Sequence, residues 1–169
     1  DAALCLGLGM TSKEQLLSFL AKADDPNSGG RQMPQHYGHK DLRIVSQSSP
    51  TGTQFLQAVG CAMSRKWEND HEIVYVSSGE GSTSEGEFHE ALNWASREKL
   101  PVIFHVQDNE YAISVHVSEQ TSGSSVFSMV NGYDNLSRYE VDGTNFFETD
   151  LAFRDCLLYT SPSPRDRSI

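Results

Sequence analysis

The eight-residue stretch Gly79-Glu80-Gly81-Ser82-Thr83-Ser84-Glu85-Gly86 constrains the fold of this chain more than any other. It follows a short β-branched apolar run, Ile73-Val74-Tyr75-Val76-Ser77, and precedes a segment in which Phe88, Ala91, Leu92 and Ala95 recur at helical spacing. A strand that ends in glycines and turns at once into a helix aims backbone N–H groups outward at a helix N-terminus, which is an anion site. Glu80 stands in the same turn, where its carboxylate would repel a bare phosphate. A divalent cation resolves the conflict, with protein oxygens on one side of it and diphosphate oxygens on the other.

The next segment completes the unit. Lys99-Leu100-Pro101 stops the helix, and Val102-Ile103-Phe104-His105-Val106 reads as a buried parallel strand. That strand runs into Gln107-Asp108-Asn109-Glu110-Tyr111. Strand, glycine turn, helix and strand make a βαβ unit, so both turns fall at the carboxyl ends of neighbouring parallel strands. Glu80 and Asn109 therefore face one crevice although roughly thirty residues separate them, the usual length of such a unit. An Asp-Asn pair after a strand is by itself an ordinary turn. Opposite a Gly-Glu-Gly turn at this spacing, it completes a Mg²⁺–diphosphate site.

The rest of the chain frames this unit. Ser12 and Gln15 have the form of a capping box, and Leu16, Leu17, Phe19 and Leu20 continue it as a packing helix. Asp24-Asp25-Pro26-Asn27-Ser28-Gly29-Gly30 is a turn cluster, followed by the donor-rich loop Gly30-Arg31-Gln32-Met33-Pro34-Gln35-His36-Tyr37-Gly38-His39-Lys40. Loop histidines are commonly surface residues, yet long loops also carry binding groups. Leu42–Val45 reads as a short strand. The hydroxyl-dense run Ser46–Thr53 then launches a helix with Phe55, Leu56, Val59 and Met63 on one side. One hydroxyl suffices for capping, so the others suggest a polar binding turn. Ser84 and Glu87 form a second capping box, Val117–Gly123 a polar loop at the crevice edge, and Leu136–Val141 a further strand. Asp142-Gly143-Thr144-Asn145 turns into a last helix. The predicted fold class is α/β, an open, mostly parallel sheet flanked by helices.

With 169 residues there is enough chain for one domain with a core. A net charge of −10 argues against nucleic acid and anionic membrane as partners, and no run of apolar residues is long enough for a membrane span. Cys5, Cys61 and Cys156 are too few and too scattered for a disulfide framework or a zinc site. The chain opens at Asp1 without methionine, so a leader peptide could precede it. From Cys156 onward the sequence resembles the translation of a transposon-based sequencing adapter, and it brings two prolines into what reads as a helix. A native disordered terminus is the alternative. We expect residues 1–155 to form a partial domain, truncated at both ends, with a non-native tail over 156–169.

Taken together, Gly79-Glu80-Gly81 and Asp108-Asn109 resemble the signature of the thiamine diphosphate-binding alpha subunits of 2-oxo acid dehydrogenases. The flanks Thr83-Ser84-Glu85-Gly86-Glu87, Leu100-Pro101-Val102-Ile103-Phe104 and Tyr111-Ala112-Ile113-Ser114 carry the likeness further. So do Gly30–Gly38 and Val141-Asp142-Gly143, and the branched-chain members are the most similar in character. The likeness extends over Asp1–Asp155.

This resemblance implies a thiamine diphosphate-binding fold and the decarboxylating first component of a dehydrogenase complex, acting on a branched-chain 2-oxo acid and passing the acyl unit to a lipoyl group. Pyruvate and acetoin are the alternative substrates. It implies that Glu80 and Asn109 hold Mg²⁺ through side chains and Tyr111 through its carbonyl. Gly79, Gly81, Ser82, Gln107 and Asn109 would meet the cofactor, with Ser49 and Thr51 along its aminopyrimidine. Ser48, Pro50, Thr53 and Gln54 match a loop that holds K⁺ in branched-chain members, and His36 is the candidate on the substrate side. Implied partners are a beta subunit or fused beta half supplying the activating glutamate, and a lipoyl-bearing transacylase core. The assembly would be a heterotetramer, or a homodimer of fused chains, in a bacterial cytoplasm or a mitochondrial matrix. Two positions depart from the pattern: Asp108 replaces the first Asn, and Gln107 stands where an arginine often touches the diphosphate, so it donates a hydrogen bond without charge. A nucleotide-binding Rossmann domain lacks support, since no Gly-x-Gly-x-x-Gly follows the first strand. A non-catalytic α/β scaffold would have no need of Glu80, Asn109 and Tyr111 together.

Overall fold

The computed structural model describes residues 1–68 and 70–160. They divide into two compact units, one ending at Pro50 and the other beginning at Thr51.

The first unit is small and loop-rich. Helix α1 (Ala2–Gly7) is capped by the Asp1 carboxylate, which accepts from the Leu4 amide at 3.0 Å. Helix α2 (Ser12–Phe19) has its capping box one residue earlier than predicted. Thr11, in extended conformation, is the N-cap, and Glu14 rather than Gln15 reaches back to its amide at 2.7 Å. A carboxylate is the stronger acceptor for that N–H. Cys5, Met10 and Tyr37 form a miniature core with Ala2, Leu42 and Ile44 against it. The expected strand Leu42–Val45 is absent. A single bridge pairs His39 with Ile44, and Arg43 sits at φ 55°, a left-handed conformation that ends any extended run there.

The second unit is mixed helix and sheet. Helix α3 (Thr53–Trp67) leads to strand β1 (Val74–Gly79), a 3₁₀ turn over Glu80–Ser84, helix α4 (Gly86–Glu98) and strand β2 (Val102–Gln107). β1 and β2 pair in parallel with Val74 opposite Val102 and Gly79 opposite Gln107, so the predicted βαβ unit is present. One face of the pair, with Val76 and Phe104, packs on Phe55, Ala58, Val59 and Ala62 of α3 and on Phe88, Ala91, Leu92 and Ala95 of α4. Phe55 and Phe88 meet edge to face at 4.9 Å between ring centres. On the other face Tyr75 Oη lies 2.6 Å from His105 Nδ1, beneath Phe153. Burial pushes the Tyr75 hydroxyl up and the His105 imidazole down, favouring the neutral form of each.

A short hairpin, β3 (Tyr111–Ala112) and β4 (Val115–His116), runs into helix α5 (Val117–Gln120). Helix α6 (Val126–Met129) follows, and α7 (Phe146–Thr160) closes the described chain. The sheet that forms is thus a two-stranded parallel pair beside a separate antiparallel hairpin. The predicted strand Leu136–Val141 is not formed. Instead this segment and β2 line one cavity of about 800 Å³, Leu136 and Tyr139 contributing with Phe104 and Val106. The second predicted capping box is also absent: Ser84 lies inside the 3₁₀ turn, and α4 starts from Glu85 without a side-chain cap. Helix α7 begins after Asn145 as predicted but continues unbroken through Cys156 to Thr160. The tail's prolines lie outside the described residues. Among the described residues no helix is long and apolar enough to cross a membrane.

Candidate functional site

The register of β1 on β2 decides the site. Because Gly79 stands opposite Gln107, the residues that leave the two strands emerge side by side. Glu80, first residue of the 3₁₀ turn, is 1% exposed, and its Oε2 accepts from the Asn109 amide at 3.4 Å. Its Oε1 is buried with no hydrogen-bond partner. Buried polar groups are nearly always paired, and a carboxylate oxygen without a donor is a costly exception.

The turn itself is stapled. Three successive carbonyls each accept from a side chain: Gly79 from Ser82 Oγ at 2.8 Å, Glu80 from Thr83 Oγ1 at 2.6 Å, and Gly81 from Gln120 Nε2 at 2.8 Å. In a helical turn carbonyls and amides point to opposite ends, so with the carbonyls occupied the leading amides form the open end. Gly81 is required here for close approach: a Cβ on it would stand 2.8 Å from Ala112 Cβ. Ser82 and Ser78 join hydroxyls, and Ser78 accepts from Gln54 Nε2 at 3.2 Å, which ties the start of α3 to the turn.

Opposite, the polar turn after β2 is shaped by its own side chains. Asp108 Oδ1 accepts from the Glu110 amide at 2.8 Å and Asn109 Oδ1 from the Tyr111 amide at 2.9 Å. Asp108 thus serves the turn, as its replacement of Asn allows. Glu110 is left-handed at φ 67°, which swings Tyr111 out as the half-exposed first residue of β3. Gln107, Asp108 and Asn109 are exposed at this end of the strand pair.

Of the predicted residues in this unit, the structure brings Gly79, Glu80, Gly81, Ser82, Gln107, Asn109 and Tyr111 to one end of β1–β2, and Gln54 joins them through Ser78. Thr51 is exposed in the turn before α3, and Thr53 is the first residue of that helix. His36, Ser48, Ser49 and Pro50 belong to the first unit. There His36 Nε2 and Ser49 Oγ are 2.9 Å apart. Thr83, Ala112 and Gln120 were not singled out as site residues; no periodicity marks them, and only their contacts with the turn reveal them.

The donor set fits a hard divalent cation. Among the described residues no group of three His, Cys, Asp or Glu side chains converges. Mg²⁺ takes one or two carboxylates and completes its shell with amide, carbonyl, phosphate or water oxygens. Glu80 Oε1, Asn109 and the backbone near Tyr111 offer that combination beside the leading amides of the turn.

The His36 loop is held by a second buried carboxylate. Asp25, 4% exposed, accepts from Asn27 N and Nδ2, Ser28 N and Oγ, and Gly30 N. Asn27 Oδ1 in turn takes the Gly38 amide, and Ser28 Oγ takes those of Arg31 and Gln32, so both ends of the loop are fixed. Burial pushes the Asp25 carboxyl up, but the donors of Asn27, Gly30 and Ser28 outweigh it and hold it below the ordinary aspartate range. A depressed carboxyl pKa contributes stability above the unfolded-state value and loses it as pH falls through the folded one. The first unit is therefore expected to lose stability on acidification below about pH 4, and Asp25→Asn to flatten that acid limb in pH-dependent denaturation. An unchanged limb would remove Asp25 as its source.

The family model described as "Dehydrogenase E1 component" matches residues 1–161. The 2-oxoisovalerate dehydrogenase subunit alpha of Bacillus subtilis (strain 168) is 47% identical over 155 residues, covering 92% of this chain and 47% of that protein. The mitochondrial 2-oxoisovalerate dehydrogenase subunit alpha of Mus musculus is 43% identical over 124 residues, covering 73% of this chain and 28% of that one. Its counterpart in Caenorhabditis elegans is 39% identical over 146 residues, covering 86% and 33%. The chain thus spans at most about half the length of these relatives.

Proposed function

Because this chain belongs to the dehydrogenase E1 component family, we propose that it is the Mg²⁺–diphosphate-binding part of a thiamine diphosphate-dependent 2-oxo acid dehydrogenase alpha subunit. The substrate class is a branched-chain 2-oxo acid, in keeping with the names of the relatives. One observation carries the reading: the buried Glu80 carboxylate with an unpartnered oxygen, set beside Asn109 at the carboxyl ends of two parallel strands. In open α/β sheets that end of the strands is where ligands bind.

In this reading Glu80 and Asn109 hold the cation through side chains and Tyr111 through its carbonyl, while Gly79, Gly81, Ser82 and Gln107 face the diphosphate. Ser49 and Thr51 belong to the aminopyrimidine side, Ser48, Pro50, Thr53 and Gln54 to a K⁺ loop, and His36 to the substrate side. When bound, thiamine diphosphate supplies the electron sink that lets a 2-oxo acid release CO₂. The chain's own contribution is to bind and orient. Gln107 donates without charge, so more of the diphosphate's charge falls to the cation and the turn amides. A beta-type partner would supply the group that activates the aminopyrimidine, and a lipoyl-bearing core would accept the acyl unit.

The test is turnover by the full-length protein assembled with its beta-type partner. CO₂ release from 2-oxoisovalerate, dependent on both thiamine diphosphate and Mg²⁺ and faster than from pyruvate, is the expected result. Turnover indifferent to the cofactor would overturn the assignment, and a preference for pyruvate would move the substrate class.

A further inference from the structure

We propose that Gln120 is a positioning residue that locks the hairpin after β2 onto the Glu80 turn and so sets the two halves of the cation–diphosphate site at their working separation. The inference rests on the cofactor reading above. The two halves come from different parts of the chain: Glu80, Gly81 and Ser82 from the 3₁₀ turn, Asn109 and Tyr111 from the arm that becomes β3–β4. At the near end one bond joins them, Asn109 N to Glu80 Oε2, and at 3.4 Å it is long for an amide donor. In the middle Gly81 lies so near Ala112 that an added Cβ would stand 2.8 Å from the Ala112 Cβ, an apolar and undirected approach.

Gln120 closes the far end. Its Nε2 donates to the Gly81 carbonyl at 2.8 Å and to Ser84 Oγ at 2.9 Å, using both amide hydrogens on the turn. A carbonyl oxygen can only accept, so the amide nitrogen must be the atom that faces it. The base of Gln120 is itself fixed: Val117 is 4% exposed, and its amide donates to the Glu110 carbonyl at 2.8 Å. The arm therefore forms a closed ring. It leaves the turn at Asn109, doubles back through Tyr111 and His116, and returns to the turn at Gln120. Gly81 lies between Glu80 and Ser82, so holding its carbonyl fixes the peptide planes that carry the site. Pre-positioned groups bind a ligand without the ordering loss that a mobile arm would incur.

Two isosteric or smaller replacements separate this role from simple packing. Gln120→Glu keeps the shape but sets a carboxylate against the Gly81 carbonyl, whereas Gln120→Ala removes shape and donor together. If Gln120 acts as a donor, Gln120→Glu is the more damaging. If it only fills space, Gln120→Glu is the milder. Amide hydrogen exchange in the chain itself is expected to speed up by about tenfold or more in Gln120→Glu at residues 80–84 and 110–117, with the α3 and α4 amides unchanged. In the assembled enzyme, calorimetric titration of thiamine diphosphate with Mg²⁺ is expected to weaken by about tenfold in Gln120→Ala and about a hundredfold in Gln120→Glu. Unchanged exchange, or the reverse order of affinities, would overturn the proposal. Glu80→Ala is the control for the underlying reading: if its titration matches the parent's, the cofactor assignment fails, while the exchange data still decide whether Gln120 clamps the turn.

Discussion

In the assembled enzyme Glu80→Ala is expected to abolish Mg²⁺-dependent thiamine diphosphate binding, a loss of about a hundredfold or more in affinity, while leaving the fold in place. The physical reason is the state of the carboxylate. Glu80 is 1% exposed, one of its oxygens has no donor, and the other takes a single amide at 3.4 Å. Leaving a buried polar group unpaired costs about 1–3 kcal/mol, more for a charge. A structural glutamate at this depth would be surrounded by donors, as Asp25 is with its five. Glu80 is not, and the proposed cation would supply the missing partner. On that proposal, removing the side chain deletes a cation ligand, and losses larger than those of supporting groups, about 10–100-fold, are expected. It also removes the orphaned buried oxygen, which offsets part of the packing lost in the cofactor-free chain. The thermal midpoint without cofactor should therefore move little, while the midpoint shift on adding cofactor disappears. Calorimetry and thermal melts read the two effects separately, and a titration identical to the parent's would sink the metal assignment.

The βαβ unit was legible because several independent signals agree on it. The runs Val74–Ser77 and Val102–Val106 are apolar and short, the Phe88–Ala95 stripe has helical period, and glycine and proline punctuate both ends. The register that places Gly79 opposite Gln107 then brings Glu80 and Asn109 together, as the spacing implied. The segments Leu42–Val45 and Leu136–Val141 misled because propensity alone does not make a strand. The first is broken by a left-handed Arg43 inside a tight bridge, and the second lines a cavity together with β2 instead of pairing with it. The capping boxes failed differently. Ser12 is the better N-cap on paper, and only the bond from the Thr11 amide to the Glu14 carboxylate shows that the box forms one residue earlier. Ser84 was drawn into the 3₁₀ turn by Gln120, a partner 36 residues away that no local pattern records. Side-chain clamps of this kind, like the Asp25 knot, depend on tertiary placement, so the sequence shows the residues without showing the bond.

Gly30→Ala is expected to be the most destabilising single-methyl change in the first unit, about 2–5 kcal/mol by chemical denaturation. Gly30 has φ +74°, and a Cβ there would lie 2.5 Å from the carbonyl carbon and oxygen of Ala21 and 2.9 Å from the Lys22 oxygen. All three are backbone atoms, so no rotamer change relieves the overlap. Left-handed backbone costs an L side chain roughly 1–2 kcal/mol, and forcing atoms into filled space adds about 1–3. The consequence travels. The Gly30 amide donates to Asp25 at 3.3 Å, so moving it loosens the carboxylate that holds Asn27 and Ser28, and with them both ends of the His36 loop. Gly29→Ala separates the two contributions. Gly29 is also left-handed, at φ +63°, but a Cβ there would meet only the Ala23 oxygen at 3.6 Å, an ordinary contact. It should show the conformational cost alone, about 1–2 kcal/mol, and leave exchange at the Gly38 amide unchanged, whereas Gly30→Ala raises it. Equal losses at the two glycines would mean that backbone conformation, not the steric contact with Ala21, governs this turn.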